Sequence, residues 1–235
     1  MRARLYKAQD SPWLGECYAS KRTAYLIRIG ARRKARAKAL AVTALLVIGS
    51  TLVCAQGAET DAFQNARHLY ETGQLAEAER GFRDLVGHDP SNVAAQMYLG
   101  QTLFREEKFS DAVAPYEKVR DLEKTGAKLT LKQHRIWGDQ LAMAYGISGR
   151  TADSKSLLQE LVRTDPEYPL NYYNLACVAA DENDKPGVLK NLRLALEHKG
   201  QILQGEEMPD PASDPSFKKY AQDADFKALL AEVRK

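Results

Sequence analysis

Residues 98–119 read YLGQTLFREEKFSDAVAPYEKV, and this stretch decides the fold. It holds two sets of apolar and small side chains at helical spacing, Leu99-Gly100-Leu103 and Ala112-Tyr116-Val119. Side chains three and four residues apart lie on one face of an α-helix, so each set predicts an amphipathic helix. A small residue beside a bulky one lets two such helices approach closely.

The same pattern recurs along the chain. In the second helix of each pair, a small or short side chain is followed four residues later by a bulky one. Consecutive occurrences of this pattern are 34, 42 and 34 residues apart. The four occurrences are Ala78-Phe82-Leu85, Ala112-Tyr116-Val119, Ser154-Leu158-Leu161 and Val188-Leu192-Ala195. Recurrence at intervals of this length predicts a helical repeat, because one helix pair cannot bury its apolar face alone.

Turn-forming residues separate the predicted helices. Gly73 and Gly149 fall between paired helices, while Asp89-Pro90 and Asp165-Pro166 follow second helices. Glycine permits a left-handed helix end, and proline cannot continue a helix. The eight-residue excess between the second and third units contains Thr125-Gly126, which predicts a turn followed by a longer helix from about 129 to 148.

The period and the small-to-bulky pattern resemble the tetratricopeptide-repeat family over about residues 59–200. The clearest matches are residues 98–119 and ETGQLAEAERGFRDLVGHDP at 71–90. The resemblance implies an all-α fold, a right-handed superhelix of about four helix-turn-helix units. Their predicted bounds are 59–92, 93–126, 135–168 and 169–200.

Residues 201–235 are expected to form a C-terminal capping segment. Asp214 and Asp223 each stand where they can cap a short helix, since an aspartate side chain accepts hydrogen bonds from free N–H groups. Apolar side chains would cover the exposed face of the last repeat. They are Phe217, Phe226, Leu229 and Leu230.

The beginning of the chain has a different character. Residues 1–38 are basic and without a periodic pattern, and residues 39–58 carry no charge over 20 positions. A basic segment followed by an apolar run and small residues is typical of an export signal. We expect cleavage before Gln56 and a periplasmic or cell-envelope location. The alternative is an uncleaved inner-membrane anchor with a cytoplasmic N-terminus, because 20 uncharged residues are about one bilayer span.

Charge excludes one class of partner. The net charge is +3, but the first 55 residues hold 11 Lys or Arg against 2 Asp or Glu, leaving 23 basic and 29 acidic residues downstream. The predicted folded part is therefore acidic and lacks the clustered cations that nucleic-acid binding needs. Membrane contact is expected only through residues 39–58, if these are uncleaved.

No catalytic, cofactor or metal motif is found in residues 56–235. His68, His88, His134 and His198 have no Cys or His partner three or four residues away, as a metal site on a helix would require. Cys177 lies in a predicted helix with no nearby histidine in the sequence to activate it. We therefore expect a protein that is not an enzyme and needs no cofactor.

The family resemblance also implies a concave groove lined by first helices. Apolar and aromatic residues dominate its expected positions, which suits a partner's amphipathic helix or extended apolar segment. The alternative is that these side chains pack against the chain's own flanking helices. The expected groove residues are Phe63, Arg67, Tyr70, Met97, Gln101, Phe104, Arg105, Asp139, Met143, Tyr173 and Cys177.

Two functional hypotheses follow from the repeat and the leader. The first is a non-catalytic scaffold or adaptor of the bacterial cell envelope, which binds a protein, a peptide or a second copy of itself. The second is an accessory subunit of an envelope enzyme or of a secretion or assembly machine. Both rest on fold analogy, and residues alone do not separate them.

Overall fold

The computed structural model describes residues 51–233, with side chains described for residues 60–232. Within this range the regular structure is entirely helical, which confirms the predicted all-α class. Nine α-helices and two short 3-10 helices (η1 and η2) are present in the described part. They are α1 Thr51–Thr72, α2 Leu75–His88, α3 Val93–Arg105, α4 Phe109–Lys124, α5 Leu131–Ile147, α6 Thr151–Thr164, α7 Pro169–Asp181, α8 Lys185–Glu197, η1 Lys199–Gln201, η2 Pro215–Tyr220 and α9 Ala224–Val233.

The described residues belong to two compact units, which divide between Lys128 and Leu129. In the first unit α1 packs on α2, α2 on α3, and α3 on α4, giving two successive helix pairs. In the second unit α5 to α8 repeat this arrangement, and η2 and α9 contact α7 and α8 respectively. Each unit therefore contains two helix-turn-helix pairs, as the repeat predicts.

The turns inside the pairs use a left-handed residue. Gly73 and Gly149 have φ of 83° and 78°, as expected. The corresponding residues of the other two pairs, 34 positions later, are Glu107 and Asn183, with φ of 65° and 59°. A side chain in this region is strained unless, as for Asn, it is short and polar. The repeat geometry therefore imposes this backbone conformation even where glycine is absent.

Within a pair, the predicted small and bulky residues meet. A Cβ built on Gly100 would lie 2.7 Å from the ring of Tyr116, so only glycine fits between α3 and α4 there. In the next pair Ser154 is fully buried, and its hydroxyl donates to the carbonyl of Ala142 at 2.9 Å. In these two pairs, a side chain of the second helix therefore packs directly against the backbone of the first helix.

Gly100→Ala is therefore expected to lower the free energy of unfolding. Overpacking against Tyr116 costs about 1–3 kcal/mol, and the better helix propensity of alanine offsets about 1 kcal/mol of this. Gly87→Ala is the matched control, since nothing lies within 4 Å of a Cβ at that helical position. It should raise stability by about 0.5–1 kcal/mol. Urea denaturation followed by circular dichroism measures both, and equal effects would contradict the close packing.

The longer helix expected after the second unit is α5, which starts at Leu131 and ends at Ile147. Its start is set by a capping box. The Thr130 hydroxyl accepts from the Gln133 N–H at 3.2 Å, and the Gln133 side chain accepts from the Thr130 N–H at 2.9 Å. The predicted bounds, 129 to 148, were correct to within two residues. The capping box fixes a start that hydrophobic spacing alone leaves undetermined, which accounts for the difference.

The C-terminal segment caps the last repeat, as predicted. The Asp214 carboxylate accepts from the Ser216 N–H at 2.9 Å, and Asp223 accepts from the Phe226 N–H at 3.1 Å. Phe217 is buried against Tyr173 of α7, with ring centroids 5.8 Å apart, and also contacts Phe226. Phe226 and Leu229 are buried and Leu230 is partly buried.

Asp181, the last residue of α7, makes stability depend on pH. Burial raises its pKa to about 6 from an ordinary 3.8; nearby Lys219 opposes this rise, while Glu182 and Asp214 reinforce it. One of its carboxylate oxygens is buried without a hydrogen-bond partner. Between about pH 4 and about pH 6 the folded state therefore holds a proton that the unfolded chain has lost. The contribution of Asp181 to the free energy of unfolding falls as pH rises from about 4 to about 6.

Asp181→Asn is expected to raise Tm at pH 7.5 and to have little effect at pH 4, because the amide carries no charge to bury. Thermal melts at several pH values test this. Asp84→Asn, which changes an exposed carboxylate on α2, should shift Tm at neither pH. A wild-type and Asp181→Asn difference that is the same at both pH values would disprove the assignment.

Most of the predicted leader lies outside the described residues. Residues 51–58 form the beginning of α1, so the expected cleavage point before Gln56 falls within a helix. Among the helices of residues 51–233, none is both long and apolar enough for a membrane span. The leader and its location therefore remain predictions.

Candidate peptide-binding surface

The first helices of the first unit carry a cluster of aromatic rings. Phe63 lies on α1, and its ring meets those of Phe82 on α2 and Tyr98 on α3 edge to face, with centroids 5.9 and 5.5 Å apart. Tyr70, two turns further along α1, also meets Tyr98 edge to face at 5.5 Å. Tyr98 stacks on Phe82 at 5.3 Å. Helical spacing places Phe63 and Tyr70 on one side of α1, which faces α3.

Arg105 joins the same cluster from the last turn of α3. Its guanidinium lies over the Tyr70 ring, 4.3 Å from the centroid, and one N–H donates to the Tyr70 carbonyl at 2.7 Å. This carbonyl belongs to the last turn of α1, where carbonyl groups lack helical partners. The cation–π contact and the hydrogen bond together hold Arg105 in one orientation.

A pair of charges borders the rings. Arg67 and Glu71 lie 3.7 Å apart on α1, with side chains 42% and 46% exposed. Burial raises the pKa of Tyr98; Arg67 opposes the rise, and Tyr70 and Glu71 add to it. The Tyr98 hydroxyl thus lies among these charges and stays protonated. We call the residues Phe63, Arg67, Tyr70, Tyr98, Gln101 and Arg105 the α1–α3 face.

Exposure divides the expected groove residues into two groups. Phe63, Arg67, Tyr70, Gln101 and Arg105 are partly exposed, so they can contact both the protein and a ligand. Met97 and Phe104 are buried, and the Phe104 ring meets Phe109 of α4 at 5.0 Å. The contact that the structure shows for Phe104 is therefore packing against its own paired helix.

In the second unit, three of the four expected residues are buried. They are Met143, Tyr173 and Cys177. The Tyr173 hydroxyl donates to Asp214 at 2.6 Å, so this residue binds the chain's own C-terminal segment. Asp139 is partly exposed and accepts a hydrogen bond from Asn174 of α7 at 2.7 Å. Whether any expected groove residue binds a partner stays a prediction.

Tyr98 was not among the groove residues expected from the sequence. The 34-residue period pairs Phe63 with Met97, yet the ring that meets Phe63 is that of the next residue, Tyr98. Met97 instead turns inward and is only 3% exposed. The available signal was the aromatic character of Tyr98 itself, since partly exposed aromatic residues are enriched at binding surfaces.

The first unit also has a surface concavity. It has a volume of about 540 Å³ and is open to solvent. Its lining is mostly polar and comes from α2, α3 and α4. The residues are Arg83, Gln96, Ser110, Asp111, Ala114, Pro115 and Lys118. In the described part of the chain, no group of three or more metal-binding side chains converges there or elsewhere.

Comparison with known proteins agrees with the repeat assignment. Residues 63–125 match a tetratricopeptide-repeat family model. A 68-residue segment is 37% identical to peroxisomal targeting signal receptors from Komagataella phaffii and Komagataella pastoris. This segment is 28% of the chain but only 12% of each receptor, so the chain spans a small part of these relatives.

A solved structure is similar in fold. It is a MamA RS-1 ArsTM double mutant, with a TM-score of 0.54 and 16% sequence identity. The similarity covers 61% of this chain and 76% of that one. Tetratricopeptide repeats typically act as non-catalytic modules that bind proteins or peptides. The matched segment, the helix pairs and the left-handed turns agree with one another, so residues 63–125 are similar to the tetratricopeptide-repeat family and the described part of the chain has a similar fold.

Proposed function

We propose that this protein is a non-catalytic scaffold or adaptor that holds a peptide or helix of a partner protein on the α1–α3 face. The observation that carries the proposal is the partly exposed cluster of three aromatic rings with Arg105 fixed against Tyr70. Rigid aromatic and arginine side chains contribute most of the binding energy in protein interfaces. Their contacts with each other keep them in place before a ligand arrives, which lowers the entropy cost of binding.

The character of the face indicates the ligand. Phe63, Tyr70 and Tyr98 offer apolar ring surface, while Arg67 and Gln101 offer hydrogen-bond donors at its border. This combination suits an amphipathic segment whose apolar side chains contact the rings and whose carboxylates or carbonyls reach the donors. The curated relatives are named as receptors for a targeting signal, which supports recognition of a segment from another protein.

Substitutions at the border of the face test the proposal without removing its rings. The full chain is immobilised, and bound proteins from an extract of the source cells are identified by mass spectrometry. Arg67→Glu with Gln101→Glu should lower recovery of specific partners at least about tenfold, which corresponds to about 1.4 kcal/mol. Arg80→Glu with Arg163→Glu is the matched control, since both arginines are exposed on second helices. Equal recovery by both double variants would exclude the α1–α3 face.

We also propose that the protein acts in the bacterial cell envelope. The support is the basic segment up to Lys38 followed by 20 uncharged residues. N-terminal sequencing of the protein from its native cells tests this. A start at Gln56 means release after cleavage, whereas an intact segment recovered with membranes means anchorage. An intact segment in the soluble fraction would contradict both forms of the proposal.

Self-association on the same face is the alternative partner arrangement. Light scattering over a range of protein concentrations distinguishes a monomer from a dimer. If a dimer forms, Arg67→Glu with Gln101→Glu should weaken it, whereas the control pair should not.

A further inference from the structure

A long irregular segment crosses the second unit before the final cap. Between η1 and η2 the chain runs through residues 202–214, thirteen positions without helix or strand. Its sequence is ILQGEEMPDPASD, which contains four carboxylates and no Lys or Arg. Irregular segments of this length are uncommon in compact domains, and lids and binding loops are among their known roles. We call residues 202–214 the strap.

Three side chains of the repeat hold the strap along its length. Arg135 of α5 donates to the carbonyl of Gln201, just before the strap, at 3.0 Å. The Tyr168 hydroxyl donates to the Glu206 carboxylate at 2.6 Å, and the Tyr173 hydroxyl donates to Asp214 at 2.6 Å. Hydrogen bonds to a carboxylate are about twice as strong as those between neutral groups. We call Arg135, Tyr168 and Tyr173 the strap seat.

The strap seat is itself rigid. Arg135 forms two hydrogen bonds to Asp165, at 2.6 and 3.0 Å, and its guanidinium lies 4.7 Å from the centre of the Tyr168 ring. Tyr168 and Tyr173 are fully buried. Burial raises the pKa of Tyr168 far above its usual range, and the nearby carboxylates add to this. The hydroxyl therefore stays a donor, and the seat presents fixed donors to an acidic chain.

The strap is held less firmly than the cap that follows it. Of its thirteen side chains, only Pro211 and Asp214 are buried. Its backbone hydrogen bonds are local and few, such as Glu206 N–H to Leu203 and Asp214 N–H to Asp210. The cap instead buries Phe217, Tyr220, Phe226 and Leu229. Segments with few buried apolar contacts open at lower free energy than the global fold, so the strap can open while the helix pairs remain folded.

We propose that the strap is an internal ligand of the strap seat, and that an extended acidic peptide of a partner protein replaces it. The strap shows the chemistry that the seat recognises, which is carboxylates spaced as Glu206 and Asp214 are on an irregular chain without basic residues. This surface lies in the second unit. It is independent of the α1–α3 face, so either proposal can fail alone.

A synthetic peptide of residues 201–216 with a fluorescent label is the probe. In the full-length protein, Glu206→Lys replaces the acceptor of the Tyr168 hydroxyl with a cation, so it should release the strap. The peptide should then bind this variant at least about tenfold more tightly than wild type, as expected for recovering a hydrogen bond to a charged group. Glu207→Lys, a change at the neighbouring exposed residue, should leave peptide binding at the wild-type level.

Two further arms make the result specific. A peptide carrying Glu206→Gln and Asp214→Asn should lose most of its affinity for the Glu206→Lys protein. Adding Tyr168→Phe to that protein should also reduce binding of the unaltered peptide. Equal affinity for the wild-type and Glu206→Lys proteins, or equal binding of both peptides, would overturn the proposal.

Hydrogen exchange on the full chain gives a readout that needs no peptide. Strap amides should exchange faster than those of α7 in the wild-type protein. Glu206→Gln, a milder change suited to the case in which Glu206→Lys does not fold, should accelerate exchange in the strap and not in α7. Exchange of strap and α7 at one common rate would mean that the strap opens only when the repeat unfolds, and would exclude an internal ligand.

Discussion

Asp165→Ala is expected to lower the free energy of unfolding by about 3–5 kcal/mol, the range for removing one partner of a buried ion pair. Asp165 accepts two hydrogen bonds from Arg135, and the two side chains are only 11% and 7% exposed. Without the carboxylate, the guanidinium would remain buried with a carbonyl and an aromatic ring as its neighbours. The loss reflects an uncompensated charge more than the strength of the pair.

Asp153→Ala is the matched control for this substitution. It breaks a pair with Arg150 at the same 2.6 Å distance, but these side chains are 51% and 43% exposed. Exposed pairs contribute about 0–1 kcal/mol. Urea denaturation followed by circular dichroism should therefore separate the two variants by several kcal/mol. Similar midpoints for both would show that burial of the Arg135 pair does not govern stability.

Phe82→Ala is expected to lower the free energy of unfolding by about 3–5 kcal/mol, as is typical for removing a buried aromatic ring. Phe82 is fully buried, and its ring contacts both Phe63 and Tyr98. The substitution should also lower partner binding in the folded fraction, because Phe63 and Tyr98 would lose the ring that positions them. Leu131→Ala, at a side chain that is 58% exposed, is the control and should change stability by less than about 0.5 kcal/mol.

Thermal denaturation and a binding assay at a temperature where both variants are folded measure these two effects. For a chain of this size, each kcal/mol shifts Tm by about 2–4 °C. Full partner binding by folded Phe82→Ala would argue that the rings of the α1–α3 face need no support from α2.

Local and periodic features of the fold could be predicted from the sequence. The Ala78-Phe82-Leu85 pattern identified buried positions, because a small residue beside a bulky one recurs only where helices pack closely. Gly73 and Gly149 marked left-handed turns for a similar reason, since glycine has a low cost there. Asp214 and Asp223 marked helix starts, where few other residues satisfy the free N–H groups.

Other features left no local signal. Glu107 occupies a left-handed position because packing on both sides fixes the turn, and glutamate is not a residue type that indicates such a position. The Arg135 pair joins residues 30 positions apart, and an arginine in a helix and an aspartate in a turn are individually ordinary. On the α1–α3 face, the period pairs Phe63 with Met97, which is buried, whereas the ring that meets Phe63 belongs to the next residue, Tyr98. Neighbouring residues on a helix point about 100° apart, so a shift of one position exchanges core for surface.

The strap has one more consequence, for how the molecule tolerates a break in its backbone. Exposed irregular segments are where proteases cut and where new chain ends are accepted. A cut beside Glu207 would leave the last helix attached through Phe217 and Phe226 below and through the Lys185 contacts with Asp223 and Asp225 at the surface. The two pieces would therefore migrate together until denatured.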